Sequence, residues 1–296
     1  MRRRRQLFPP DRGLQARMVL AAVLTPLIVV ALVVLCATAL PGRWLLGLTA
    51  VSLMGLVVTV RDQRRDADAR LLAAGEEPAL QGIVDRLCVA ADLGRPEIAV
   101  DDERQPNSWI VDPPGRRPRL HVTRGLLDLL EPSELEAVIA HELSHVAHRD
   151  ATVMTVVSLP GAAMAEGAQR AGWAFGPLMA GRLAGFVIGA VSRVGSSALS
   201  RHRELTADAG AVALTGRPAA LASALLKVSG RLEALPRADL RAVATRDALH
   251  LVAVDDEEGG TLARRMWATH PSVERRVAAL ERLERHLAHA RPVLRD

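Results

Sequence analysis

The sequence predicts a mostly helical α+β protein whose mixed domain is carried on an N-terminal transmembrane helical hairpin. Three observations lead there. Two uncharged apolar runs lie within the first 60 residues, with arginines on their outer flanks. Short strand-like segments separated by Pro, Gly and Asp follow them. A long helical pattern then carries the pentapeptide HELSH, from His141 to His145.

The 296 residues are enough to bury a sizeable core, and 49% of them are hydrophobic, which excludes a disordered chain. Two cysteines, Cys36 and Cys88, exclude a disulfide scaffold. Tyr is absent, so no tyrosine hydroxyl can act as acid, nucleophile or oxyanion donor.

From Met18 to Leu40 no residue is charged. As a helix this run is about 34 Å long, enough for a hydrocarbon core of roughly 30 Å. Trp44 to Val60 is a second uncharged stretch, about 25 Å long, joined to the first by Leu-Pro-Gly-Arg. Arg2 to Arg5 resemble the start of a signal peptide, but the run is too long for one and another span follows at once. Leu35 before Cys36 is also a poor lipobox position. Residues 1–60 are therefore expected to form a basic arm and a retained two-helix anchor, and 61–296 the folded domain.

Arginines 2–5, 12 and 17 precede the first span, and Arg61, Arg64, Arg65 and Arg70 follow the second; the connection holds only Arg43. The positive-inside rule puts both ends of the hairpin in the cytoplasm, making a multi-pass protein of the cell (inner) membrane with its domain facing the cytoplasm. The charge of +5 is then largely a collar for anionic lipid. A nucleic-acid partner is not expected. Stacking platforms need aromatics, and beyond the anchor only Trp109, Trp173, Phe175, Phe186 and Trp267 are present.

Residues 151–192 hold two more apolar stretches, Ala151 to Ala165 and Trp173 to Val191. They read equally as a second membrane hairpin or as a buried soluble helix pair. Either way the chain returns to its starting side. Between anchor and HELSH, Ala79 to Leu93 has helical periodicity, and Glu97–Val100, Ser108–Val111 and Leu120–Val122 are strand candidates. Val273, Val277, Leu280, Leu283 and Leu287 form an apolar stripe near the C-terminus.

HELSH sits on a helix opened by Pro132 and marked by Leu135, Val138, Ile139 and Val146. His141 and His145 are four apart, so their imidazoles share a face and can bind one tetrahedral cation. Glu142 is rotated aside, where it can serve as a base toward water. His148 lies about 10 Å along the axis from His141, too far for one ion to touch both. A third ligand must come from another helix. SRHRELTAD supplies Glu204 and Asp208, four apart on one face, one to ligate and the other to orient a ligand imidazole.

Three segments carry a family resemblance: TRGLLDLLEPSELEAVIAHELSHVAHRD, SRHRELTAD and THPSVERRVAAL. The chain resembles the HtpX-like membrane metallopeptidases, relatives of the CAAX prenyl proteases. The resemblance implies a gluzincin-like zinc peptidase domain holding one Zn2+ through His141, His145 and Glu204, with Glu142 as base and Asp208 as orienting residue. PNSWIVD resembles the family's edge-strand segment and implies substrate binding by Asn107, Ser108 and Trp109. Ser144 and Leu205 stand where the family usually has Gly and an aromatic. With Tyr absent, His270 and Arg276 are the candidates for catalytic oxyanion donors, because the resemblance places their segment beside the cleft. Their bland alternative is that His270 caps a helix and Arg276 pairs with an acid such as Glu274 or Glu281. The expected substrates are polypeptides, implied by the resemblance to be misfolded or damaged membrane proteins. A metal-binding membrane scaffold without turnover is the rival reading.

Overall fold

The structure, a computed structural model, describes residues 12–39, scattered positions between 46 and 57, and residues 70–73, 75–111, 117–148, 177–233 and 271–290. Among these, seven helices and three strands run in the order α1 (Arg12–Ala39), α2 (Pro78–Ala91), β1 (Glu97–Asp101), β2 (Ser108–Val111), β3 (Arg119–Thr123), α3 (Arg124–Leu129), α4 (Pro132–His148), α5 (Pro177–Thr215), α6 (Pro218–Glu233) and α7 (Val273–Ala290). Four of the helices open on proline, whose fixed φ suits a first helical position and whose missing N–H is no loss there.

The sheet order is β1-β3-β2, with β1 parallel and β2 antiparallel to β3. β2 is therefore an edge strand. Its side chains alternate between two faces. Ile98, Leu120 and Val122 face the core, where Leu80, Val84 and Leu87 of α2 meet Val138, Ile139 and Leu143 of α4. On the opposite face the Trp109 ring stacks on His121 with centroids 4.7 Å apart and an interplanar angle of 9°. His121 Nδ1 lies 3.0 Å from Asp101 Oδ2.

The loop entering β2 is clamped. Thr123 Oγ1 accepts from the Asn107 amide at 2.9 Å, donates to the Gln105 carbonyl at 2.6 Å, and caps α3 by accepting from Leu126 N at 3.2 Å. Gly125 packs so tightly beneath this loop that a Cβ there would lie 2.0 Å from the Arg104 carbonyl oxygen. Only glycine fits.

α4 is the central helix, buried at nearly every position from Glu134 to His145. It contacts α2, α5, α6 and β2. Its start is tied down by Glu134, whose carboxylate accepts from the Glu131 amide (2.9 Å), Ser223 Oγ (2.6 Å) and Lys227 Nζ (2.8 Å). α5, 39 residues long, ends where Gly216 adopts φ +67° and its amide closes on the Val212 carbonyl.

α1 packs along α5. Both leave large apolar side chains exposed, among them Val19, Leu20, Val23, Leu27 and Leu35 on α1 and Leu183, Phe186 and Val187 on α5. Among the described residues no helix is long and apolar enough to cross a membrane. Of the second expected span, Trp44 to Val60, only scattered positions are described, and residues 151–176 lie outside the described residues, as does His270.

The expected helix 79–93 and the three expected strands are present as α2, β1, β2 and β3, β2 with its expected bounds and the others with ends shifted by one or two residues. α2 stops earlier than its periodicity suggests because Asp92 turns into the left-handed region at φ 53°.

Candidate metal centre

His141 and His145 project from α4 with rings perpendicular and centroids 4.9 Å apart. Glu204 reaches them from α5. Its Oε2 lies 3.4 Å from His141 Nε2 and its Oε1 lies 3.6 Å from His145 Nε2. One donor atom from each residue falls within 4.8 Å of the others. All three side chains are buried.

The atoms behind the ligands fix their chemistry. Asp208, one turn after Glu204, places Oδ1 2.9 Å from His141 Nδ1. A carboxylate there holds an imidazole proton on Nδ1, so the proton on Nε2, facing Glu204, is the one a metal ion would displace. Asp208 is itself gripped by Arg276 of α7, which donates Nε to Oδ2 at 2.9 Å and Nη2 to Oδ1 at 2.6 Å. Arg276 Nη1 sits 3.7 Å from Glu204 Oε2. Arg276 is 1% exposed, so this fork is a buried, bidentate ion pair.

Glu142 faces β2, where Ser108 Oγ donates to its Oε1 at 3.0 Å. Burial, the largest influence, outweighs the nearby histidines and the Ser108 hydrogen bond and raises its carboxyl above the usual range. A carboxyl raised in this way can take up a proton nearer neutral pH than an exposed one. Burial also opposes the ionisation of Asp208, but Arg276 and His141 overcome it and hold that carboxyl low. At His141, burial disfavours the charged ring, yet the Asp208 and Glu204 carboxylates push its pKa up to about 9.

The donor set fits a divalent cation. Two imidazoles and a carboxylate are a normal set for a catalytic site with an open position. Among the described residues, the buried carboxylates Glu142, Glu204 and Asp208 gather around the two imidazoles and the Arg276 guanidinium. A divalent ion held by His141, His145 and Glu204 would add positive charge to that cluster.

The remaining expected site residues are placed as follows. Asn107 is buried at the entry to β2, its amide held by Thr123. Trp109 is buried and, by strand alternation, lies on the face opposite Ser108 and Glu142. His148 turns back on its own helix, with Nδ1 2.9 Å from the Ser144 carbonyl oxygen. Arg276 meets Asp208 and not Glu274 or Glu281, the acids its own helix offers. Sequence reasoning missed both the Arg276–Asp208 fork and the Ser108–Glu142 bond. Each left a signal: Arg276 lies on the apolar stripe of α7 with Leu280, and Ser108 shares the inward face of β2 with Ile110. A charged or polar residue on a buried face needs a buried partner.

Residues 74–284 match the description of peptidase family M48. The chain belongs to peptidase family M48. The matched stretch covers the sheet, α4, Glu204 and Asp208 on α5, and Arg276 on α7. Within M48 the chain is similar to Protease HtpX homolog 1 of Streptomyces coelicolor, 37% identical over an alignment of 305 positions covering 96% of this chain and 97% of that one. It is also similar to Protease HtpX homolog 2 of Methanosarcina mazei, 38% identical over 231 residues, 74% of this chain and 77% of that one. The crystal structure of S. mikatae Ste24p superimposes with a TM-score of 0.44 at 19% identity, over 71% of this chain and 50% of that one, too weak a likeness to carry an argument. As an HtpX-like M48 protein the chain is a metallopeptidase, a hydrolase of peptide bonds.

Proposed function

We propose that this M48 chain is a membrane-anchored zinc endopeptidase whose catalytic domain faces the cytoplasm and whose substrates are misfolded or damaged membrane proteins. The observation that carries the zinc reading is the buried set of His141, His145 and Glu204 with Asp208 behind the first imidazole. His141, His145 and Glu204 would hold one zinc ion, which when bound would supply Lewis-acid chemistry, making water more acidic and a carbonyl more electrophilic.

The chain's own groups do the rest. Glu142 takes a proton from the attacking water and returns it to the leaving amine. Asp208 keeps the His141 ring in register and Arg276 keeps Asp208 ionised and in place. The catalytic role expected of Arg276 needs donors aimed at substrate; with Nε and Nη2 spent on Asp208, we assign it to positioning. His270 remains the candidate oxyanion donor, to be judged by kcat in His270→Ala. The outer edge of β2, from Asn107 to Val111, which no described strand pairs, receives the substrate in extended form through main-chain hydrogen bonds.

The membrane placement is supported by the arginines flanking both apolar runs and by the exposed apolar side chains on α1 and the first half of α5. A reporter fused after Asp66 is expected to behave as cytoplasmic. Periplasmic reporter activity at that position would reverse the orientation.

Metal analysis and casein digestion on purified wild type and Glu142→Gln, side by side, test the activity. Wild type should carry one zinc and digest casein; Glu142→Gln should keep the zinc and lose the digestion. Zinc binding without digestion by wild type supports a scaffold instead.

A further inference from the structure

We infer that Ser108 is a positioning residue for the peptidase reaction: its hydroxyl fixes the carboxylate of Glu142, while its main chain faces the edge of β2 that no described strand pairs. The inference rests on the proposed reading of Glu142 as base and β2 as docking strand.

The side chain comes first. Ser108 is 1% exposed and Glu142 4%. The 3.0 Å bond between Ser108 Oγ and Glu142 Oε1 joins the edge strand to the central helix. A glutamate on a helix has three rotatable bonds between its backbone and its carboxylate, so the helix alone does not fix where the oxygens point. Ser108 supplies the missing constraint. With Oε1 held, Oε2 is the oxygen left to meet the water.

The main chain comes next. The Thr123 amide donates to the Asn107 carbonyl at 3.0 Å, and the Asn107 amide is taken by Thr123 Oγ1. In an antiparallel pair such residues alternate with residues whose N–H and C=O point away from the partner. Ser108, opposite Val122, and Ile110, opposite Leu120, are those residues. Among the described strands none pairs with that edge. Ser108 therefore offers backbone to the edge and hydroxyl to the base.

The strand is also held in depth. The neighbouring Trp109 stacks on His121, which Asp101 meets from the far side, and the Thr123 clamp fixes the preceding residue. A carboxylate anchored to so fixed a strand keeps its distance from a substrate laid along that strand.

This arrangement predicts a split in the kinetics. Ser108→Ala keeps the strand's main chain and removes only the hydroxyl, so KM should change by less than about twofold while kcat falls by roughly 10–100-fold, the effect of losing a hydrogen bond to a charged group. Ser108→Thr restores the hydroxyl on a β-branched side chain that strands accept, and should recover most of the lost kcat. The test uses full-length, zinc-loaded protein in detergent and a quenched casein-derived peptide, with zinc content and melting temperature measured for each variant. The expected result is the kcat loss in Ser108→Ala at unchanged zinc content and melting temperature, with rescue by Ser108→Thr. Four results overturn it: kcat unchanged in Ser108→Ala, a rise in KM alone, a loss of zinc or fold that accounts for the drop, or a folded Ser108→Thr no better than Ser108→Ala. A zinc-loaded wild type that cleaves nothing sinks the peptidase reading itself, whereas a cleaving wild type with an indifferent Ser108→Ala sinks only the role given to Ser108.

Discussion

Replacing Arg276 with Met keeps most of the side-chain volume and removes the buried fork on Asp208. Asp208 loses hydrogen bonds of 2.9 and 2.6 Å and is left, 1% exposed, with the His141 ring 2.9 Å away. Breaking a buried ion pair from one side costs about 3–5 kcal/mol, because the surviving charge stays desolvated. For a domain of this size each kcal/mol moves the melting temperature by about 2–4 °C, so the metal-free variant should melt about 6–20 °C lower. Metal binding should weaken as well, since an ungripped Asp208 no longer fixes the His141 ring; losses of about 10–100-fold are usual for such partners.

A second substitution separates the two effects. Asp208→Asn in the Arg276→Met background removes the unpaired charge, so stability should partly return while zinc affinity stays low. Arg276→Lys keeps the charge but not the planar fork, and should fall between wild type and Met. Thermal melts of the detergent-solubilised protein and zinc competition against a chromophoric chelator read both quantities. A Met variant melting within about 2 °C of wild type, with zinc affinity changed less than about twofold, would refute the buried-pair reasoning.

Glu204→Gln should release zinc, whereas Asp208→Asn should retain it with affinity lowered about 10–100-fold; the reverse pattern would show the two acids exchanged in role. Glu134→Gln should cost about 1.5–3 kcal/mol at neutral pH by weakening the bonds to Lys227 and Ser223. Burial opposes ionisation of Glu134, but Lys227, Ser223 and the Glu131 amide hold its carboxyl below the ordinary 4.5. The folded state therefore binds fewer protons than the unfolded chain in that window, so the stability advantage of wild type is full above pH 4.5 and shrinks as pH falls through the lower folded value. Melting curves of both proteins at falling pH check this, and a gap that does not narrow on acidification below pH 4.5 would contradict it. Burial pushes the Cys88 thiol up to about 11, so at pH 8 about one in a thousand is thiolate; peptide mapping should find Cys88 unmodified by iodoacetamide in the native protein and modified after denaturation.

What the sequence made legible is what short-range geometry dictates. A spacing of four puts His141 and His145 on one face because an α-helix turns every 3.6 residues, and the same rule pairs Glu204 with Asp208. Alternation and turn residues mark β1, β2 and β3 for the same local reason. Which helix approaches which is not local. Asp208 and Arg276 are 68 positions apart, and Ser108 and Glu142 are 34 apart. Seen from Arg276 alone, Glu274 and Glu281 are the nearest acids, but they are not where the apolar stripe of α7 takes the guanidinium. Leu280 is 1% exposed and lies one turn from Arg276, so docking Leu280 into the core carries Arg276 in with it. A buried guanidinium cannot stay unpaired at a cost folding would tolerate, which makes a buried carboxylate on a facing helix obligatory. Glu204 and Asp208 are acids on α5 whose face already turns inward, as buried Ala207, Ala211 and Val212 show, and Asp208 is the one that takes the Nε–Nη2 fork. The stripe and the buried charge together thus select the partner, but only once α5 and α7 are known to pack against each other, and that contact is written in the fold of the whole domain.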